Sequence, residues 1–128
     1  MRISALASLK RPESETIREV NNYTSSLMNL ERFGEAKSLL RKMIPVARRV
    51  FGESRETTIR LRWNYAESLA NADGATLGDL REAVTTLAEI ERTARRVFGG
   101  AHPRTVELER DLQGTRAVLR ENEKLLLG

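Results

Sequence analysis

The sequence predicts an all-α fold built from stacked antiparallel helical hairpins. Three observations support this prediction. Apolar residues recur at helical spacing along most of the chain, no segment of useful length alternates with a period of two, and part of the sequence is repeated. The chain has 128 residues, of which 40% are hydrophobic, so it can bury one modest core. We therefore expect a single domain assembled from a few similar units.

The repeat is visible in two pairs of segments. Residues 16–29, TIREVNNYTSSLMN, align with residues 58–71, TIRLRWNYAESLAN, with eight identities in fourteen positions. The hexapeptide ARRVFG occupies residues 47–52 and again residues 94–99. The first pair is offset by 42 residues and the second by 47. Five extra residues therefore lie in NADGATLG, which contains Asp-Gly and is interpreted as a lengthened turn.

The first unit is predicted to contain two helices. Apolar residues three and four apart indicate one helix over about residues 14–30 and another over about residues 34–50. Gly52 follows the second helix, as a glycine often does just past a helix end. Pro45 lies inside that helix, and we expect it to bend the helix and to push Ile44 away from helical geometry.

The second unit repeats this pattern and is followed by one more helix. Gly99 ends the second unit, and His102-Pro103 is predicted to form the turn that enters the final helix. In that helix, Gly114 costs about 1 kcal/mol relative to alanine. We expect four leucines of the helix to pack on the second unit, and we expect both tyrosines to pack between helices: Leu108, Leu112, Leu119 and Leu126, with Tyr23 and Tyr65.

The predicted organisation has four parts. These are an N-terminal arm or partial helix at 1–13, a first repeat at 14–57 and a second repeat with a five-residue insertion at 58–104. The fourth part, at 105–128, corresponds to the first helix of a third unit and caps the stack. Two and a half units are few for a stable stack, since about three are usually needed. We therefore expect the chain either to self-associate or to form part of a longer array.

The repeat resembles the tetratricopeptide repeat (TPR) family, in the 42-residue variant found in kinesin light chains. The matching positions of the second unit are Thr58, Asn64, Tyr65-Ala66, Gly78-Asp79-Leu80-Arg81-Glu82-Ala83, Phe98-Gly99 and His102-Pro103-Arg104-Thr105. The resemblance implies a right-handed α-α superhelix of about two full repeats plus a capping helix. It also implies that the first helix of each unit lines a concave groove.

The resemblance assigns groove positions to polar residues of the first helices. They are Arg18, Asn21, Asn22, Ser25 and Asn29 in the first unit, Arg60, Trp63, Asn64, Glu67 and Asn71 in the second, and Glu107, Arg110 and Asp111 in the last helix. Asparagine can both donate hydrogen bonds to a peptide backbone and accept them from it, and the planar guanidinium of arginine can donate two parallel hydrogen bonds to a carboxylate. This chemistry suits an extended or acidic peptide. Structural roles for Asn22 and Asn64, and a core position for Trp63, remain open alternatives.

Composition narrows the classes of function. The chain has no cysteine and a single histidine, which excludes disulfides, thiolate chemistry and multi-histidine metal sites. No catalytic constellation, carboxylate pair or phosphate-binding glycine motif is visible, so we expect no enzyme activity and no cofactor. The prediction is a cytoplasmic, non-membrane protein–protein interaction module, a scaffold or adaptor. The net charge of +4 leaves two alternatives, a nucleic-acid binder with an Arg-rich surface and a structural or oligomerising segment.

Overall fold

The structure is a computed structural model that describes residues 13–127. These residues form five helices joined by short turns: α1 (Glu13–Asn29), α2 (Phe33–Phe51), α3 (Glu56–Asn71), α4 (Leu77–Phe98) and α5 (Pro103–Leu127). Residues 13–127 contain no strand, which confirms the all-α prediction. Within residues 13–127, none of the helices combines the length and hydropathy that a membrane span requires. The predicted N-terminal arm lies outside the described residues, except for its last residue, which begins α1.

Helices that are consecutive along the chain pack against each other, and α1 also contacts α3. As a result α3 lies between α2 and α4, and eight of its 16 residues are buried. Its fully buried apolar side chains include Ile59, Leu61 and Leu69. The helix is therefore the centre of the hydrophobic core.

Several equivalent positions of the two units are buried in both. Ala36 and Ala83, which are 47 residues apart, are both fully buried, and so are Ala47 and Ala94. Such small side chains allow helices to approach closely. Thr58, which opens α3, is also fully buried and donates a hydrogen bond of 3.5 Å to the carbonyl oxygen of Ala47. The internal repeat in the sequence therefore corresponds to a repeated packing pattern.

Glycine ends the second helix of each unit, as predicted. Gly52 has φ 82° with ψ 173°, and Gly99 has φ 94° with ψ 156°, a backbone region that is essentially restricted to glycine. Their N–H groups donate to the carbonyl oxygens of Arg48 and Arg95, at 2.9 and 3.0 Å. These bonds satisfy carbonyl groups that would otherwise have no partner at the helix ends.

The predicted helix-entry turn before α5 is also confirmed. Pro103 is the first residue of α5, where its missing N–H costs nothing and its fixed φ suits the helix. The Nδ1 atom of His102 accepts a hydrogen bond of 3.1 Å from the N–H of Arg104. The His102 ring also stacks on Phe98, with 4.8 Å between ring centroids.

The five-residue insertion lengthens a helix as well as a turn. The turn before α4 spans residues 72–76, and α4 has 22 residues where α2 has 19. Thr76 caps the added helical turn, because its Oγ1 accepts from the N–H of Asp79 at 3.0 Å. The Asp79 carboxylate accepts in return from the Thr76 N–H, also at 3.0 Å. The interpretation of the insertion as a turn alone is therefore corrected.

The expected disruption at Pro45 is wrong in one respect. Ile44 is helical and buried, and α2 continues without a break through Pro45. Pro45 and Arg41 both lie on the exposed side of α2. The Arg41 carbonyl, which loses its helical donor at Pro45, can therefore be satisfied by water.

The packing expected along α5 holds at Leu108 and Leu112, is partial at Leu119, which is half-buried, and fails at the end of the helix. Leu108 and Leu112 are buried, but Leu126 is 71% exposed, so its predicted contact with the second unit is wrong. An ion pair of 3.2 Å between Arg81 and Glu123 joins the first turns of α4 to the later part of α5. The last turn of α5 extends past this point, and its leucines lie in solvent.

The buried cation Arg62 connects α3 to α4 and to the turn before α3. Arg62 occupies the position that Val20 holds in the first unit, and its side chain is 8% exposed. Its guanidinium pairs with the carboxylate of Glu89 on α4 and, at 3.3 Å, with that of Glu53 in the turn before α3. Because a buried charge without a partner is costly, these two carboxylates help to hold α4 and the turn against α3.

We predict that Glu89→Gln lowers the free energy of unfolding by about 1 to 3 kcal/mol, since Arg62 then stays buried with only one carboxylate. Urea denaturation followed by circular dichroism measures the change. The matched control is Glu35→Gln, which removes a surface pair with Arg32 and should cost less than about 0.5 kcal/mol. Equal effects for the two variants would show that Arg62 does not depend on Glu89.

Candidate functional site

A groove opens between α3 and α5, with α4 as its floor. Its volume is about 500 Å³, within the range of ligand-binding pockets. Ala66 and Ala70 of α3, together with Leu80 and Leu87 of α4, supply apolar surface. The polar residues that line it are Glu67, Asn71, Arg110, Asp111 and Thr115. Four of the residues predicted to line a groove therefore lie here, namely Glu67, Asn71, Arg110 and Asp111.

Trp63 links the two helices next to the groove. It is half-buried and packs against the hydrophobic core, and its Nε1–H donates a hydrogen bond of 2.7 Å to Oδ2 of Asp111. The sequence left open whether Trp63 lies in the core or in the groove. The structure combines the two, since the ring belongs to the edge of the core and the N–H orients a carboxylate of the groove. The bond fixes α5 relative to α3 beside the groove.

Glu67 and Asp111 form a carboxylate pair across the groove. The pKa of Glu67 rises to about 7 because burial disfavours its charged form, and because the charge of Asp111 and a hydrogen bond that the protonated Glu67 can donate to Asp111 both favour its neutral form. At neutral pH the pair therefore carries a proton for part of the time. The sequence showed no paired carboxylates, and the structure corrects that expectation by bringing together residues from two helices.

Gly114 leaves space in the wall that α5 contributes. It lies in the middle of that helix, and a Cβ atom added there would meet no other atom within 4 Å. It is not among the predicted groove residues, and in the sequence it counts only as a cost to the helix. An isolated glycine inside an otherwise regular helix is a signal that could have pointed to it.

A second group of predicted residues lies where α1 meets α3. The Nδ2 group of Asn64 donates a hydrogen bond of 3.4 Å to Oδ1 of Asn21. The Ser25 hydroxyl donates to the carbonyl oxygen of Asn21 at 3.0 Å. Asn64 therefore bridges two helices at this contact, which corresponds to the structural role left open by the sequence.

The remaining predicted residues are exposed and do not line the groove. The Arg18 guanidinium lies 5.8 Å from the ring centroid of Phe51, and Arg60 pairs with Glu56 at 3.8 Å. Asn22, Asn29 and Glu107 are exposed on their helices. The structure thus places Arg18 and Arg60 in separate local contacts outside the groove.

The two tyrosines differ although they occupy equivalent positions. Tyr65 is buried as predicted, and its hydroxyl accepts a hydrogen bond of 3.0 Å from Arg41 and donates to Glu82. Burial and the bond to Glu82 raise the pKa of Tyr65. Tyr23 is 44% exposed, so its predicted packing is wrong. The reason is that α2 precedes and covers α3, whereas among the described residues no helix precedes α1 and covers it in the same way.

Comparison of the chain with protein-family models, with curated proteins and with solved structures gives no match. Within residues 13–127, no group of three or more histidine, cysteine, aspartate or glutamate side chains could hold a metal ion.

We predict that the indole N–H of Trp63 reports the titration of Glu67, because Trp63 donates to the carboxylate of Asp111, whose charge affects the pKa of Glu67. Trp63 is the only tryptophan of the chain, so its resonance is unambiguous in a ¹⁵N–¹H spectrum. Its chemical shift should change with a midpoint near pH 7. The transition should disappear in Glu67→Gln. A transition that persists in this variant would contradict the assignment.

We predict that Gly114→Ala raises the free energy of unfolding by about 1 kcal/mol, because alanine favours the helix and its Cβ enters open space. Thermal and urea denaturation measure the change. Gly99→Ala is the contrasting variant, and it should destabilise the chain because φ there is 94°. A loss of stability in Gly114→Ala would show that the groove wall is closed at this position.

Proposed function

We propose that this chain is a non-catalytic protein-interaction module that binds an extended segment of a partner in the groove between α3 and α5. The observation that carries the proposal is the groove itself, a space of about 500 Å³ between two helices with apolar surface and polar side chains. Helical walls hold such side chains more rigidly than loops do. Gly114 keeps the wall open at the position where any other residue would place a side chain.

A TPR-like arrangement of hairpins is part of this proposal. The repeated burial of matched alanines supports it, because each hairpin then presents the same face to the next. The groove lies between α3 and α5, which the sequence repeat assigns as the first helices of their units. The right-handed superhelix and the role as a scaffold or adaptor follow from that resemblance.

The groove does not favour the acidic ligand that the arginines and asparagines of the first helices suggested. Arg18 and Arg60 do not line it, and Arg110, the arginine that does, is accompanied by the two acids Glu67 and Asp111. The nucleic-acid alternative depends on arginines that are available to phosphates. Many described arginines are instead paired with carboxylates: Arg32, Arg48, Arg49, Arg60, Arg62, Arg81, Arg95 and Arg104. We therefore favour a protein partner.

Peptides of random sequence can test the groove before any natural partner is identified. A random-sequence peptide library is displayed on phage and selected on the immobilised full chain, and individual peptides are then measured against two variants. Gly114→Trp fills the groove, whereas Gly114→Ala leaves it open and serves as the matched control. We predict that selected peptides bind Gly114→Trp about tenfold or more weakly and bind Gly114→Ala as they bind the wild type.

Circular dichroism must first show that both variants keep the helical content of the wild type. If the selected peptides bind Gly114→Trp and the wild type equally, they bind elsewhere and the groove is not the interaction site. If the selection yields no binding peptide, the proposal of a peptide-binding module fails. A role as a structural or oligomerising segment would then be the better account.

A further inference from the structure

The groove contains two acidic side chains, one on each of its helical walls. Glu67 on α3 and Asp111 on α5 line the same cavity, and Glu67 can donate a hydrogen bond to Asp111 only when it is protonated. Two ionised carboxylates so close together repel each other, and either a proton or a cation relieves this repulsion. Without a bound cation, a proton fulfils this role for part of the time at neutral pH.

We propose that the groove selects a partner segment that carries one lysine or arginine, whose cationic group enters between Glu67 and Asp111. This inference rests on the proposed function, since it names the chemistry of the segment that the groove binds. The carboxylates supply charge complementarity, and each can accept hydrogen bonds from an ammonium or a guanidinium group.

The apolar floor fits the remainder of such a side chain. Ala66, Ala70 and Leu87 lie in the same cavity as the carboxylates, so the aliphatic stem of a lysine or arginine can pack on them while its charged end reaches the acids. Gly114 contributes no side chain to the wall and leaves room for the stem. The groove thus offers apolar surface to the aliphatic stem and two carboxylates to the charged group.

The neighbouring groups orient the acidic pair and limit the charge that it accepts. The Trp63 N–H donates a hydrogen bond to Oδ2 of Asp111, and this bond holds the carboxylate in place. Among the described residues that line the groove, Arg110 is the other charged one, and it is exposed. Its positive charge opposes entry of a second cation. The leucines that α4 contributes, Leu80 and Leu87, carry no charge, so the site suits one basic residue flanked by apolar ones.

Binding should depend on pH in a defined direction. A cation binds the pair best when both carboxylates are ionised, and protonation of Glu67 removes one of the two charges. Because the pKa of Glu67 is about 7, affinity should rise between about pH 6 and pH 8. The Glu67→Gln variant should lack this dependence, since its amide does not ionise in this range.

The test uses peptides from the phage selection that lose binding to Gly114→Trp. We expect these peptides to be enriched in lysine or arginine. Replacement of that residue by norleucine should weaken binding to the wild type about tenfold at pH 8. Glu67→Gln should weaken binding of the parent peptide by a similar factor. Glu107→Gln is the matched control, because Glu107 is an exposed acid on α5 that does not line the groove, and it should leave affinity unchanged.

Two outcomes would overturn the inference. Groove-dependent peptides that are acidic or uncharged would exclude cation selection while leaving the peptide-binding function intact. Equal binding of the lysine and norleucine peptides would do the same, and this comparison does not depend on how any protein variant folds. If no groove-dependent peptide exists, the proposed function fails and the inference fails with it.

Discussion

The enclosure of α3 between α2 and α4 is the constraint on which the rest of the structure depends. Half of its residues are buried, and they include the fully buried Leu61 and the buried cation Arg62. Arg62 requires its two carboxylates, so it couples the position of α4 to that of α3. Because α5 packs on α4, the placement of α4 also sets the space that remains between α3 and α5. The groove is therefore a consequence of how the core is packed.

The side chains around the groove then determine its chemistry. The hydrogen bond from Trp63 to Asp111 connects α3 with α5, and the acidic pair couples the same helices through Glu67. A proton and a basic ligand are expected to compete for this pair, so under the proposed function ligand binding and proton release are linked. The groove would accordingly respond to both the charge of the partner and the pH.

Much of the fold could be predicted from the sequence, because helical periodicity, the repeat and the end-capping glycines are local signals. Gly52, Gly99 and the turn at His102 lie where those signals place them. The groove was less predictable. Periodicity assigns a residue to a face of its own helix, but the pairing of Glu67 with Asp111 depends on how two helices lie after folding. The exposure of Tyr23 likewise depends on which neighbours cover α1, and its own segment contains no such information.

The most direct test of the proposed binding site is chemical-shift mapping on ¹⁵N-labelled wild-type protein titrated with a peptide selected from the library. The account predicts that the largest changes occur at the Trp63 indole and along residues 66–71 and 110–118, on the two walls of the groove. Changes confined to α2 and the outer side of α4, around Arg41 and Glu82, with no change at the indole, would contradict it. The partner would then bind the opposite pair of helices.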